Sequence, residues 1–283
     1  MSSEIEWFGM NCTIPDGWEI VQHSTDAEKG SLGFVDRRYQ RAQLNWRRVT
    51  GKPETSRMMQ DLKSRDRSHF PDAEVSATFR LQQWTGYYRT TDRECITRAG
   101  TYDKKWQRWI DLVIIWPQGY NRDEEYTLLS GFKTRDYKNE SVMRWRAFNM
   151  CFYVPKDWTL QGVLAGSIQK VFEFAHAHIM TRIIKRSIPQ IWHDADLEHI
   201  LRDENRSYNG TVSSCTYGTH EARCFRGREK QAHFRWLLGR RFYKDDVIWE
   251  CPSAYAIYQI SSVAREFVRD AAAQVTLQCH GAS

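Results

Sequence analysis

The sequence predicts an α+β protein made of two tandem copies of an antiparallel β-sheet covered by helices, the copies being pseudo-two-fold related. Three observations predict it. First, a motif recurs 140 residues apart. Phe8-Gly-Met10-Asn-Cys-Thr-Ile14-Pro15-Asp-Gly-Trp18-Glu-Ile20 is matched by Phe148-Asn-Met150-Cys-Phe-Tyr-Val154-Pro155-Lys-Asp-Trp158-Thr-Leu160, with Phe, Met, Pro and Trp in register. Second, the chain carries twelve Trp, thirteen Tyr and thirteen Phe, and rings favour pleated, half-buried surfaces. Third, runs of period two alternate with stripes of helical period.

The elements follow in the same order in each copy. The first strand ends at Pro15 or Pro155, since proline cannot donate to a ladder. The Pro-Asp-Gly-Trp turn uses Pro to preset φ and Gly to tolerate a positive one. Residues 30–38 and 41–49 read as a hairpin, with Ala42, Leu44 and Trp46 alternating with Gln43, Asn45 and Arg47. Their counterparts are Gly166-Ser-Ile and 171–184, which is more apolar and is expected to be buried on both faces. A helix follows over 53–67, striped by Met58, Met59 and Leu62, and another over 191–205, striped by Leu197, Ile200 and Leu201. The closing strands 108–117 and 246–252 place Asp111 and Asp246 six residues before Pro117 and Pro252, which aligns the two aspartates. Terminal helices are expected over 123–132 and over 262–273. The second rests on Val263, Phe267 and Val268 and an alanine-rich end. The polar stretch 133–140 reads as the linker, so the repeats are 1–138 and 139–283.

Composition narrows the classes. The chain is 41% hydrophobic and 27% charged, a globular balance, and each half is long enough to bury a core. The N-terminus has acids where a secretory signal has a basic region, and no window approaches the roughly 18 apolar residues of a spanning helix. A cytoplasmic protein without a membrane partner is expected. Seven cysteines without close pairing read as reduced, mostly buried thiols. Residues 1–140 hold 22 Lys and Arg against 21 Asp and Glu; residues 141–283 hold 19 against 14. Any anionic partner is therefore steered by the second copy.

The strand ending in Pro-x-Gly-Trp, then Phe34 and Asp36, then the Ala42–Trp46 alternation, resembles the PsbP-like family. Met10, Pro15, Gly17, Trp18, Phe34 and Asp36 carry the resemblance in the first copy. The second keeps Met150, Pro155 and Trp158, with Asp157 in place of Gly17. The resemblance implies an antiparallel sheet with helices on its faces, and a binding or assembly role without an active site. It transfers no binding residue.

Candidate sites come from residue chemistry. His176 and His178, two apart on one strand, would share a face; with His193, and His199 beyond it, they are the candidate metal ligands. The competing reading, satisfied core histidines, is preferred, and no metal or cofactor is assigned. Residues 223–244 interleave eight cations with rings and a single acid. Arg235, Trp236, Arg240, Arg241 and Tyr243 are the candidate binding residues, able to pair anions and stack. Cys12 and Cys151 sit one residue out of register and so share no role. Phosphate loops, dinucleotide fingerprints and nucleophile elbows are missing from the sequence. The function expected is non-catalytic binding or assembly with a protein partner. An enzyme or small-ligand site in the cleft between copies is the alternative, and a nucleic acid on 223–244 ranks third.

Overall fold

The computed structural model describes residues 2–187, 196–230, 242–265 and 271–279. The chain divides into two compact units, Met1–Lys138 and Asn139–Ser283. In the first, the elements are β1 (Ser2–Trp7), β2 (Met10–Pro15), β3 (Glu19–His23), β4 (Lys29–Val35), β5 (Gln40–Arg48), α1 (Thr55–His69), β6 (Glu74–Val75), β7 (Phe79–Leu81), β8 (Trp84–Thr90), β9 (Cys95–Asp103), β10 (Arg108–Trp116), α2 (Arg122–Gly131) and β11 (Lys133–Thr134). In the second they are β12 (Val142–Ala147), β13 (Met150–Pro155), β14 (Thr159–Ala165), β15 (Gln169–His176), β16 (Ile179–Ser187), α3 (Leu197–Glu204), β17 (Tyr208–Tyr217), β18 (His220–Glu229), β19 (Tyr243–Cys251), β20 (Ala256–Ala264) and β21 (Thr276–Gln278).

The local chemistry of the repeated motif produces the same start in both units. β1 pairs β2 through a turn at Phe8 and Gly9, both at positive φ; β12 pairs β13 through Phe148 and Asn149, also at positive φ. Two left-handed residues in a row make the turn whose twist matches a tight hairpin. β2 alternates buried and half-buried residues up to Pro15, and the Trp18 amide then donates to the Pro15 carbonyl at 3.3 Å, as the Trp158 amide does to Pro155 at 3.1 Å. Next, β3 and β14 each carry a bulge, after Ile20 and after Leu160, opposite Phe34 and Phe174. β5 buries Ala42, Leu44 and Trp46 and turns their neighbours outward, as its alternation requires.

The first unit's large sheet runs β3-β4-β5-β10-β9-β8-β6, with β7 also on β8. Helix α1 packs on β8 and β9, joining Met59 to Tyr87 and Trp109 in one core cluster. Between them lies a polar layer: Arg98 pairs Asp66 at 3.0 Å and Asp111 at 3.1 Å, and Tyr87 Oη donates to Asp66 at 2.8 Å. Gly100 sits among these rings, where no side chain fits beside Trp109 and Met59. The β11-β2-β1 ladder lies towards the opposite face, Phe8 meeting Trp46 at 6.0 Å. Helix α2 packs on β2 and buries Glu125, which accepts from Thr97 and Tyr120, both at 2.6 Å.

The second unit's large sheet runs β14-β15-β16-β20-β19-β18-β17. Asp196 caps α3 by accepting from the Glu198 amide, and Leu201 packs on Phe225, Ile248 and Ile257. On the other face β12-β13-β21 brings Phe152 to 4.9 Å from Phe172 and Trp145 to 5.4 Å from Phe174.

The expected α+β class is corrected. Among the described residues strand makes up 56% and helix 15%, so the protein is β-rich rather than a pair of helix-covered sheets. The helical stripes are real but short: α1, α2 and α3 have fifteen, ten and eight residues. Much of the cover on each large sheet is itself β, because the aromatic load packs ladder on sheet. Two further corrections follow from pairing. Residues 262–264, expected to begin a helix, continue β20, with Val263 opposite Met180 and Lys244; long-range pairing overrides alanine propensity. Residues 266–270 of that expected helix lie outside the described residues. Asp111 and Asp246 do not hold equivalent places either: β10 neighbours β5, whereas β20, not β19, neighbours β16. Among the described residues no helix is long and apolar enough to cross a membrane.

Candidate functional site

Most of the residues read as a binding patch, Arg235, Trp236, Arg240 and Arg241, lie outside the described residues, as does His193. Tyr243 opens β19 opposite Arg228, whose guanidinium stands 5.9 Å from its ring. The described cations of this segment have partners: Arg226 pairs Asp245 at 3.1 Å, and Arg223 donates to Ser214 at 3.0 Å.

The histidine pair is corrected. His176 ends β15, and Ala177 and His178 form the turn into β16, with Ala177 at φ +48. A reversal between them removes the shared strand face on which the metal reading relied. His176 Nδ1 lies 3.3 Å from Asp157, and His199 lies 3.4 Å from Asp203 one helical turn away.

The uniform thiol reading is corrected as well. Cys215 and Cys224 form a disulfide that crosses from β17 to β18, with Cα atoms 6.1 Å apart. Five cysteines are free: Cys12, Cys95, Cys151, Cys251 and Cys279. Burial alone pushes the Cys12 thiol up to about 12, an inert core sulfur.

Strand pairing assembles a group that the sequence reading missed. The side chains of His220, Cys251 and Cys279 converge, their nitrogen and sulfur atoms all within 4.8 Å of one another. His220 is the first residue of β18 and Cys251 the last of β19. Ala222 opposes Trp249, so two residues further along His220 and Cys251 come level. β21 pairs β13, with Leu277 opposite Phe152, and Cys279 follows two residues later on the same side.

The surroundings of this cluster are ordered. Trp249 Nε1 donates to Cys279 Sγ at 3.0 Å, and Ser253 Oγ lies 3.3 Å from Cys251 Sγ. The Trp249 ring stacks at 4.0 Å on Tyr217 and at 5.8 Å on Tyr258. Tyr217 Oη accepts from the Leu277 amide at 2.7 Å and donates to the Val275 carbonyl at 3.0 Å, so the β21 segment is tied to the end of β17. Burial, helped by neighbouring Cys251, pushes the Cys279 thiol up to about 11, while the Trp249 N–H and the Lys185 ammonium favour its thiolate. Two thiols and an imidazole can chelate a soft cation or take part in thiol chemistry. No short motif flags them, since 31 and 28 residues separate them.

The edges of the sheets differ between units. β6 and β7, at one edge of the first, have two and three residues. The corresponding edge of the second is β17, a ten-residue strand, Tyr-Asn-Gly-Thr-Val-Ser-Ser-Cys-Thr-Tyr, with no charge and no proline. Its register with β18 is unbroken over all ten pairs, and six of its residues are exposed. A shallow recess near α2 is lined by Arg41, Tyr120 and Glu124 among others. Its Arg41 is already held by Asp36 at 3.1 Å and Glu124 at 2.9 Å, which makes it a strap rather than a receptor.

No family model matches the chain, and no curated protein matches it.

Proposed function

We propose that the protein is a non-catalytic binding protein that receives an extended segment of a protein partner along the β17 edge of its second unit. The observation that carries this reading is that, among the described residues, no strand pairs with the outer side of β17, and the strand itself has no charge, proline or bulge. Edge strands expose a row of backbone donors and acceptors, and proteins ordinarily blunt them with charges, proline, bulges or shortness. β3 has Glu19 and a bulge, β14 has a bulge, and β6 and β7 are fragments. β17 has none of these devices, and the Cys215–Cys224 bridge fastens it to β18. Such an edge accepts a further strand through main-chain hydrogen bonds. Arg223 of β18 reaches the edge strand, donating to Ser214 at 3.0 Å, so an acidic partner segment is favoured. Five free thiols favour a reducing, cytoplasmic setting, where the ten-pair ladder to β18 holds β17 in place whether or not the bridge is closed.

The test is site-specific photo-cross-linking from position 216 in the native host, with and without Thr211→Lys and Ser214→Lys. Cross-links to an acidic, extended segment that vanish in the double variant, with an unchanged melting temperature, are expected. Identical cross-links in both proteins would remove β17 as the docking edge.

A further inference from the structure

We propose that His220, Cys251 and Cys279 bind a thiophilic d10 cation, Zn2+, and that the ion fastens the β21 segment to the ends of β18 and β19. The three residue types are the usual soft and borderline ligands of zinc, and three protein ligands leave one corner of a tetrahedron for an exchangeable group. With Zn–S bonds of about 2.3 Å and Zn–N bonds of about 2.0 Å, a tetrahedral ion holds its ligand atoms roughly 3.5–3.8 Å apart. The observed separations lie within 4.8 Å, so closure needs a shift of about 1 Å, within reach of side-chain rotation.

The surroundings fit an ion as well as the ligands do. Cys251 is fully buried and Cys279 is 9% exposed, a position where two adjacent thiolates alone would repel. Zn2+ cancels that charge, and binding releases the two thiol protons to solvent. The Trp249 N–H, 3.0 Å from Cys279 Sγ, is the kind of outer hydrogen bond that orients a thiolate ligand. Trp249 is itself fixed between Tyr217 and Tyr258. The ligands come from three separate stretches, so the ion would act as a cross-link between the sheet and the last described strand. This site is independent of the β17 docking edge, and either can fail without the other.

The experiment is an anaerobic titration of the full reduced chain with Co2+, followed by displacement with Zn2+. Expected are thiolate-to-cobalt charge-transfer absorption and the visible bands of tetrahedral cobalt, saturating at one equivalent and erased by zinc. Cys279→Ser and His220→Gln should each weaken the binding at least about tenfold, whereas Cys95→Ser in the other unit should not alter it. Because Cys251→Ser could misfold, a measurement on the unmodified protein stands beside the variants. Zinc should raise the melting temperature and slow amide exchange over 275–279, and a chelator should reverse both. Absence of charge-transfer absorption, its survival in Cys279→Ser, or exchange over 275–279 that ignores zinc would overturn the proposal.

Discussion

Gly100→Ala should destabilise the first unit by about 1–3 kcal/mol, the range for overpacking a filled core. Gly100 lies in β9 between Thr85 and Asp111, and its φ is not positive, so the backbone accepts an alanine. The obstacle is space. A Cβ there would lie 2.7 Å from Met59 Sδ and from Trp109 Cη2, and closer still to Trp109 Cζ2. Carbon contacts are comfortable near 3.5–4.0 Å, so the indole must retreat by roughly 1 Å. Trp109 is 3% and Met59 2% exposed, which leaves the thioether able to flex but the ring without room. The drop in melting temperature should be roughly 4–10 °C for a unit of this size. Gly17→Ala separates sterics from backbone. Nothing lies within 4 Å of its built Cβ, but its φ is +81, so it should lose only the left-handed penalty of about 1–2 kcal/mol. Trp109→Leu supplies the second arm of a double-mutant cycle: with the ring gone, the added methyl should cost less than in the parent. Urea unfolding monitored by near-ultraviolet circular dichroism measures the parent, the three single variants and the Gly100→Ala/Trp109→Leu double variant. A Gly100→Ala protein as stable as the parent would refute the packing argument. So would effects of the two substitutions that add to within about 0.5 kcal/mol.

Two further perturbations address the second unit. The Cys215–Cys224 bridge spans a sequence separation of 9, and loop-closure entropy for a ring of that size amounts to roughly 2.5–3 kcal/mol; the Cys215→Ser/Cys224→Ser protein should lose about that much in urea, and an unchanged midpoint in non-reducing buffer would show that the bridge does not constrain the unfolded chain. Burial, opposed by Lys244 at 3.2 Å and by Asn205, holds the Asp246 carboxyl above its usual range. The native state then grips that proton more tightly than the unfolded chain, so this stabilisation is full below the ordinary carboxylate range and is lost as pH rises through the raised value. The stability of the parent relative to Asp246→Asn should therefore fall as pH rises above the ordinary carboxylate range, and a flat difference would contradict the assignment.

The parts of this molecule that the sequence exposes are those whose cause is local. Pro15, Gly17 and Trp18 write a strand end and a turn into consecutive residues, and β1 and β2 recur as β12 and β13 at the same offset of 140. The alternation of Ala42, Leu44 and Trp46 likewise states which face is inside. Beyond residue 50 in each unit the structure depends on which strand meets which. Ser262 joins Thr181 through their hydroxyls at 2.9 Å, a partner 81 residues away that no helical stripe foretells. His220, Cys251 and Cys279 meet only because the β18–β19 and β13–β21 registers agree. Neither Ala177 nor His178 is a usual turn former, so the sequence does not mark the reversal that separates His176 from His178. Chain order also misled: Asp111 and Asp246 share a spacing to proline but sit in strands with different neighbours.

The bulges after Ile20 and Leu160 have a consequence for how each sheet keeps its alignment. Strand side chains repeat every two residues, so a slipped strand can usually find a second, inverted fit. A single extra residue spoils that symmetry, because the parity of inside and outside changes midway along the strand. In β3, Ile20 is buried against Phe34 while Val21 points outward at 60% exposure, and Gln22 already opposes Gly33. Moved by one residue, the strand would match the sheet on neither side of the kink. Each unit thus carries, on the first strand of its large sheet, a notch that admits one alignment, and the phase of the strands built upon it is set from there.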